Sequence, residues 1–378
     1  MRVLVLANTD ENGAMGLRSR ALFGRLEAHE VHIRYRHGSR FGGAVRTGRE
    51  MRHLRPDVVV LLDLGVYNFL AWVLAGGRRC APLFSLTGDD IYAYHRFVRN
   101  RSSLFATAAR MLEDMAFRRS ALVGVRGTFH KQHLAGRGYG NVRVLPDHVD
   151  LDIMRPLCGD EIRAELGLTG QFVAGVVGTM QWSARWRMCY GWELVEAMPH
   201  IESAHVRGLI VGGGDGLPRL RERAGELGVA DRLVFTGNVP HREVCGYINA
   251  MDACLSTQTN NLVGQVRTTV KLPEYLACGK YVIATHVGEA SLVLPGIGSL
   301  LPYRAGVVRD DEYPLVLARE IDRLAAHPEV TLAVAERARQ VARDRFAVGM
   351  LARQAEQMLE EIAHPPAPER ERRVRPRR

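Results

Sequence analysis

Residues 268–288 read Thr268-Thr-Val-Lys-Leu-Pro-Glu-Tyr-Leu-Ala-Cys-Gly-Lys280 and then Tyr281-Val-Ile-Ala-Thr-His-Val-Gly288. A polar loop here feeds a helix starting near Lys271, with Lys271 and Glu274 in its first turn. A short β-branched run, Tyr281–Ala284, follows at once. Helix followed directly by a buried strand is one step of an alternating α/β chain, and the question is whether that step repeats.

It repeats in both directions. Working back from residue 271, the second half offers strands at Phe172–Val177, Val206–Val211, Leu233–Phe235 and Cys254–Ser256, with helices at about Trp192–Met198 and Leu217–Leu227. The first half offers Val3–Leu6, Val31–Tyr35, Val58–Leu62, Leu83–Leu86, Leu122–Val125 and Val142–Leu145. Helical patterns stand between them at about Leu17–Ala28, up to Leu54, and Leu104–Arg118. Such alternation is the pattern of parallel sheets wrapped by helices, so the fold class is α/β with two doubly wound, Rossmann-like domains. The reading divides the chain into a first domain at 1–165, a second at 166–345, a C-terminal helix at 346–363 packing back toward the first domain, and a disordered basic tail at 364–378. The last helical pattern runs unbroken from about Glu336 to Ile362.

A length of 378 residues suits two cores, and 47% hydrophobic with 24% charged residues excludes a collagen-like, disulfide-scaffold or wholly disordered chain. The six cysteines lie far apart without a C-x-x-C pair, which gives neither a zinc site nor a disulfide framework and fits reduced thiols in a cytosol. The apolar start of the chain is too short for a signal-peptide core, so a cytoplasmic location is expected. Val58–Ala75 is the one stretch apolar enough to suggest a membrane span, but Asp63 and Asn68 interrupt it, and it reads as strand then buried helix. The net charge of +10 is uneven: residues 1–165 carry 25 basic and 17 acidic side chains, residues 166–378 carry 26 and 24. A basic first domain attracts an anionic acceptor or the inner face of a membrane, at which peripheral contact is expected. No nucleic-acid-binding signature accompanies the charge, and nucleic acid is not expected as a partner.

In open α/β sheets, ligands bind outside the carboxyl ends of the strands, which places function in those loops. The loop entering the helix at Lys271 brings unpaired N–H groups and a positive dipole end, suited to a pyrophosphate. A carboxylate there accepts hydrogen bonds from sugar hydroxyls, which makes Glu274 the best ligand candidate; the bland reading is a helix cap.

Segment 271–284 resembles the "K-L-x-E-Y-L-A-x-G-K-x-V-I-A" region of retaining GT-B glycosyltransferases, the group-four family described as glycosyl transferases group 1. Further segments are similar in the same order: Arg55–Val60; Pro82–Ile91, against "P-V-V-x-T-x-H-G-S-D"; Val144–Asp150 with Arg155-Pro156, against "V-I-P-N-G-V-D … F-x-P"; Leu209–Gly216, against "L-x-I-V-G-x-G-P"; and Asp231–Val239, against "D-R-V-x-F-x-G-x-V". The resemblance spans about residues 1–360 and implies the GT-B fold, two Rossmann-like domains facing across a cleft.

It also implies transfer of a sugar from a nucleotide-diphosphate sugar, held by the second domain, to a hydroxyl acceptor. No further cofactor and no metal site are implied, since the nucleotide-diphosphate sugar is a co-substrate. By that resemblance Glu274 meets the ribose, Asn238 and Val239 the base, and Arg267, Thr268 and Thr269 the diphosphate and sugar. The Gly178-Thr179 loop closes on the phosphates, with Gly214 in the neighbouring turn. Lys271, Arg185 and Asp90 are the expected catalytic groups, and Arg187 joins the donor set. The chain departs from the family pattern at four positions. Val266 stands where a second glutamate is common, Thr179 and Tyr190 where an arginine and a lysine neutralise phosphate, and Thr87 where a histidine is common. Arg185 and Arg187 are expected to replace the missing charge.

The acceptor is expected on first-domain loops, at Gly16, Arg18, Asp89 and His95. It is a glycan, a lipid-linked intermediate or a small metabolite. His130, His133 and His148 read as structural or surface groups. A degenerate GT-B protein that binds a nucleotide sugar or a partner without transfer is the rival reading.

Overall fold

The computed structural model describes residues 1–365 apart from 12, 37–39, 307 and 308. The expected basic tail lies outside the described residues from 366 onward. Twelve strands are described: β1 (Arg2–Ala7), β2 (Glu30–Tyr35), β3 (Val58–Leu62), β4 (Leu83–Thr87), β5 (Leu122–Val125), β6 (Val142–Val144), β7 (Phe172–Val177), β8 (Val206–Val211), β9 (Leu233–Gly237), β10 (Ala253–Ser256), β11 (Tyr281–Thr285) and β12 (Gly298–Leu301). Strands such as β3, Val-Val-Val-Leu-Leu, are buried along their whole length, the pattern of a parallel sheet covered on both faces.

Two six-stranded sheets result, ordered β2-β1-β3-β4-β5-β6 and β12-β11-β10-β7-β8-β9. In the second sheet every neighbouring pair is parallel. Its chain order runs outward from β7 to β8 and β9 on one side, then crosses to β10, β11 and β12 on the other. The order therefore reverses between β7 and β10, and in such sheets the crevice at the reversal is where a ligand sits. In the first sheet the reversal falls between β1 and β3.

The chain forms two compact units. One comprises residues 1–86, 116–123 and the segment from Ala352 on; within it the last helix pairs Glu356 with His29 at 3.0 Å. The other comprises residues 87–115 and 124–351. It holds the whole second sheet, with a core built on Val176, Ile210, Leu255, Tyr275 and Ile283.

Three expectations change. The unbroken helix 336–362 is two helices, Ala335–Phe346 and Val348–Ala363. Ala347 between them is extended (φ −58°, ψ 125°) because the chain there bridges to the crossover segment: Val149 N–H donates to the Phe346 carbonyl at 2.8 Å, and Val348 N–H to the Val149 carbonyl at 3.0 Å. The helix expected at Leu17–Ala28 is Ala14–Phe23, stopping at Gly24. Strand β12, Gly-Ser-Leu-Leu, was not among the expected strands. The apolar stretch Val58–Ala75 is β3 and the helix Val66–Ala75, and among the described residues no helix is long and apolar enough to cross a membrane.

Candidate functional site

The loops leaving β7, β8, β9 and β10 meet at one edge of the second sheet, and hydrogen bonds lock the first two together. Gly178 N–H donates to the Val211 carbonyl at 2.9 Å, Met180 N–H to Gly213 at 2.9 Å, and Gly216 N–H to Met180 at 2.8 Å. This contact is too close for side chains at two positions. A Cβ on Gly212 (φ +127°) would lie 1.9 Å from the Gly178 carbonyl oxygen, and one on Gly178 would lie 2.3 Å from Lys271 Cε. Gly214 stands in the same turn, its carbonyl accepting from Leu217 N–H at 3.2 Å. Asn238, leaving β9, is exposed and packs its amide against Gly213, with Val239 half-buried beside it.

The helix Lys271–Ala277 is pinned beneath these loops by the Val177 N–H, which donates to Tyr275 Oη at 2.9 Å. Its first residue carries the amine inward: Lys271 Nζ lies 4.0 Å from the centroid of the Tyr190 ring. Tyr190 is held in turn by its hydroxyl, which donates to the Leu255 carbonyl at 3.1 Å. Burial lowers the Lys271 amine to about 8, so it is mostly an ammonium at neutral pH and gives up its proton readily above that.

A cavity of about 240 Å³ opens here, lined by Thr179, Tyr190, Glu193, Thr257, Thr269 and Lys271 among others. It sits at the ends of β7 and β10, at the reversal of strand order. Glu193 is a carboxyl that the sequence reading passed over. Burial pushes it up to about 7 against the hydrogen bond from Thr257, so it changes charge near neutral pH. The signal available was an acid directly after Gly191-Trp192, where a first-turn glutamate ordinarily faces solvent and caps.

Glu274 is buried at 8% exposure, and its Oε1 pairs with His241 Nε2 at 3.2 Å. That hydrogen bond raises the His241 imidazole above its ordinary value. Glu274 does not line the 240 Å³ cavity; it faces the loop after β9 through His241, another residue the sequence reading did not single out.

Arg267, Thr268 and Thr269 lie on the loop before this helix. Arg267 and Thr269 line the cavity with Lys271, while Arg267 Nε also donates to Asp89 Oδ1 at 2.8 Å. Thr268 Oγ1 donates to Asp147 Oδ2 at 2.7 Å, and Asp147 lies 3.6 Å from the Arg126 guanidinium. Asp147 and Arg126, with Glu289, border a second pocket of about 30 Å³ that shares Arg267 and Thr269 with the larger one.

Asp90, expected among the catalytic groups, has a wholly buried side chain. One oxygen caps a helical turn by accepting from Ala93 N–H at 2.7 Å, and the other accepts from His133 at 3.0 Å with Arg110 at 3.5 Å and Arg137 at 3.8 Å. Burial alone would raise its carboxyl, but His133, the Ala93 N–H and Arg110 hold it down at about 2. Its neighbour Glu113 is pushed up to about 8 by burial and by the Asp90 charge. This is a positioning cluster rather than a face open to a reactant.

The remaining expected residues lie elsewhere. Arg185 and Arg187 are exposed and face a separate cavity of about 730 Å³, with Arg185 stacked 5.2 Å from the Phe97 ring centroid. They do not line the cavity of Lys271, whose cationic side chains are Lys271 and Arg267. His95 lies in a π-helical turn, Tyr94–Val98, edge-on to Phe105, and burial with Arg99 and Arg101 lowers its imidazole. Gly16 accepts from Ser19 Oγ at 2.7 Å, and Arg18 is buried at 3% exposure. Among the described residues one group, His29 with Glu356 and Glu360, brings metal-type ligand atoms together; it is partly exposed and its 3.0 Å His29–Glu356 contact is that of an ordinary ion pair.

Comparison with known proteins agrees with this geometry. Residues 171–327, the segment that holds the second sheet and its loops, match the family described as glycosyl transferases group 1. Over 263 residues the chain is 30% identical to a 2-deoxystreptamine N-acetyl-D-glucosaminyltransferase of Streptomyces fradiae, covering 66% of this chain and 59% of that one. A 2-deoxystreptamine glucosyltransferase of Streptomyces kanamyceticus is 27% identical, covering 55% and 51%. The chain thus spans between half and three-fifths of the length of these two relatives. Among solved structures, Anabaena HepE in complex with UDP superposes with a TM-score of 0.75 at 17% identity, covering 96% of this chain and 100% of that one. Sucrose-phosphate synthase from Thermosynechococcus elongatus gives 0.73 at 19% identity, covering 96% and 99%. Both show the GT-B fold.

Proposed function

We propose, from the premise that the chain has the GT-B fold and is related to the group 1 glycosyl transferases, that it is a glycosyltransferase moving a sugar from a nucleotide-diphosphate sugar to a hydroxyl acceptor with retention. The observation that carries this reading is the cavity at the β7/β10 reversal, where the Lys271 amine stands beside the backbone of Gly178. Departure of a nucleoside diphosphate builds negative charge on its phosphate oxygens, and fixed cations and loop amides in a partly desolvated site stabilise that charge. In this reading Lys271 and Arg267 face the diphosphate, the amides of residues 178–180 supply hydrogen bonds, and Thr269 orients the phosphate or sugar. Glu274 accepts from ribose hydroxyls after His241 moves aside, and Asn238 with Val239 borders the base. The acceptor's attack from the leaving-group face requires no protein nucleophile, with a donor phosphate oxygen taking the proton.

Both curated relatives carry 2-deoxystreptamine in their names, so a small aminocyclitol is the first acceptor to try, ahead of a glycan or a lipid-linked intermediate. Gly16, Arg18, Asp89 and His95 are proposed to meet it. A cytoplasmic protein with peripheral membrane contact is compatible with this reading. The experiment is transfer itself: purified protein with each common nucleotide sugar and 2-deoxystreptamine, product read by mass. A glycosylated product carries the proposal. Donor binding without transfer or hydrolysis favours the binding-only reading, to which the Tyr190 substitution points, since its hydroxyl is engaged with Leu255 and offers phosphate no charge.

A further inference from the structure

The cavity of about 730 Å³ that holds Arg185 and Arg187 has no part in the reaction proposed above. Three of the chain's four tryptophans, Trp182, Trp186 and Trp192, line it. Trp192 belongs to the buried core, and Trp182 and Trp186 pack half-buried against it, with the local backbone ordering both. Ser183 N–H donates to the Met188 carbonyl at 2.9 Å, Trp186 N–H donates to Ser183 Oγ at 3.2 Å, and Arg187 takes φ +50°, closing a tight turn with Trp186 at its tip. Trp182 is tied down by its backbone N–H, which donates to Asp215 Oδ1 at 2.8 Å, and its ring sits 5.6 Å from that of Trp192.

The polar lining is balanced. Arg223 pairs with Glu196 at 3.0 Å and Glu226 at 2.8 Å, Arg309 pairs with Asp311 at 3.0 Å, and Arg219 stacks 4.4 Å over Trp182. Trp192, 8% exposed, has an indole Nε1 that is buried without a hydrogen-bond partner among the described residues. Four carboxylates, Glu196, Glu222, Glu226 and Asp311, nearly offset the five arginines of the wall, so it offers a phosphate little net attraction. A hydroxylated ligand, by contrast, donates to carboxylates, accepts from guanidinium groups, and lays its C–H faces on the rings. The volume lies within the range of sites that enclose molecules of several rings.

We infer that this cavity is a second saccharide site, taking an uncharged oligosaccharide of two or three rings on the Trp182/Trp186/Trp192 surface, distinct from the nucleotide site. Trp182 and Trp186 also border the cavity of Lys271, so a glycan held here lies along the wall of the reaction site.

The test uses the full chain with maltotriose, cellotriose and N,N′,N″-triacetylchitotriose, at millimolar concentration, read by saturation-transfer NMR and tryptophan emission. At least one trisaccharide is expected to bind and to remain bound when UDP or GDP is added. Trp186→Ala should weaken it about tenfold, as loss of one aromatic face does. Arg219→Ala, on the exposed rim, serves as a second variant where a tryptophan change disturbs folding, and it too should weaken binding. No binding by any of the three sugars overturns the inference. So does displacement by a nucleoside diphosphate, or binding unchanged in folded Trp186→Ala and Arg219→Ala. Loss of donor turnover with trisaccharide binding intact contradicts only the transferase reading.

Discussion

The ammonium of Lys271 lies 4.0 Å from the centre of the Tyr190 ring, whose hydroxyl is tied to the Leu255 carbonyl at 3.1 Å. The aromatic ring holds this cation in place before any anion arrives. Lys271→Met should weaken nucleoside diphosphate binding by about 1.5–3 kcal/mol, roughly ten- to a hundredfold, with little change in melting temperature. Tyr190→Phe keeps the ring and should leave affinity within a few-fold of wild type. Titration calorimetry on both variants checks the pair.

Donor affinity should fall in two steps as pH rises. Glu193, pushed up to about 7, becomes a carboxylate through neutral pH and repels the diphosphate. Lys271, lowered to about 8, loses its charge above that and ceases to attract it. Glu193→Gln should remove the step near 7 and keep the one near 8. Affinity measured from pH 6 to 9 on wild type and variant distinguishes this from a general loss of structure.

Two glycines of the locked loops should respond differently to alanine. A Cβ at Gly178, itself at φ +156°, meets the flexible end of Lys271 at 2.3 Å, so Gly178→Ala should displace the amine and damage donor binding in addition to its cost in stability. A Cβ at Gly212 meets the rigid Gly178 carbonyl oxygen at 1.9 Å at a positive φ, so Gly212→Ala should cost roughly 1–3 kcal/mol of folding stability. Denaturant melts alongside nucleotide titrations read both effects.

Asp90 should prove a stability residue. Its carboxylate is buried among His133, Arg110 and Arg137 and caps the turn at Ala93. Asp90→Ala should destabilise the fold by about 3–5 kcal/mol, the effect of leaving buried charges unpartnered. Because its folded value is lowered to about 2, the stability it contributes is present above about 4 and lost as pH falls through about 2. A variant melting as wild type, with only turnover reduced, would return Asp90 to the reaction.

The second sheet was legible because β7 and β11 are nearly continuous apolar runs of the length a buried strand needs, β8 closes on Leu209-Ile-Val211, and the segment after Thr268 placed its helix start correctly. The break at Ala347 was not, because a bridge to Val149, two hundred residues away in sequence, overrides a helical pattern that is locally unbroken. Glu274 was singled out from its position on a first turn, but its partner His241 lies on another loop and carried no local mark. The placement of Arg185 away from Lys271 depends on the turn closed between Ser183 and Met188, a bridge that no spacing announces. Glu193 escaped for a related reason: its burial comes from how its helix packs, and its sequence neighbours look like an ordinary helix start.

The most direct test of the donor site is calorimetric titration of UDP, GDP, ADP and TDP, with their common sugar conjugates, into the wild-type chain, Lys271→Met and Glu274→Ala. One nucleotide family should bind the wild type, and both variants should melt cooperatively while losing affinity, Glu274→Ala by about 1–3 kcal/mol. Binding by none of the nucleotides, or undiminished binding in both folded variants, would contradict a donor site built on the Lys271–Ala277 helix.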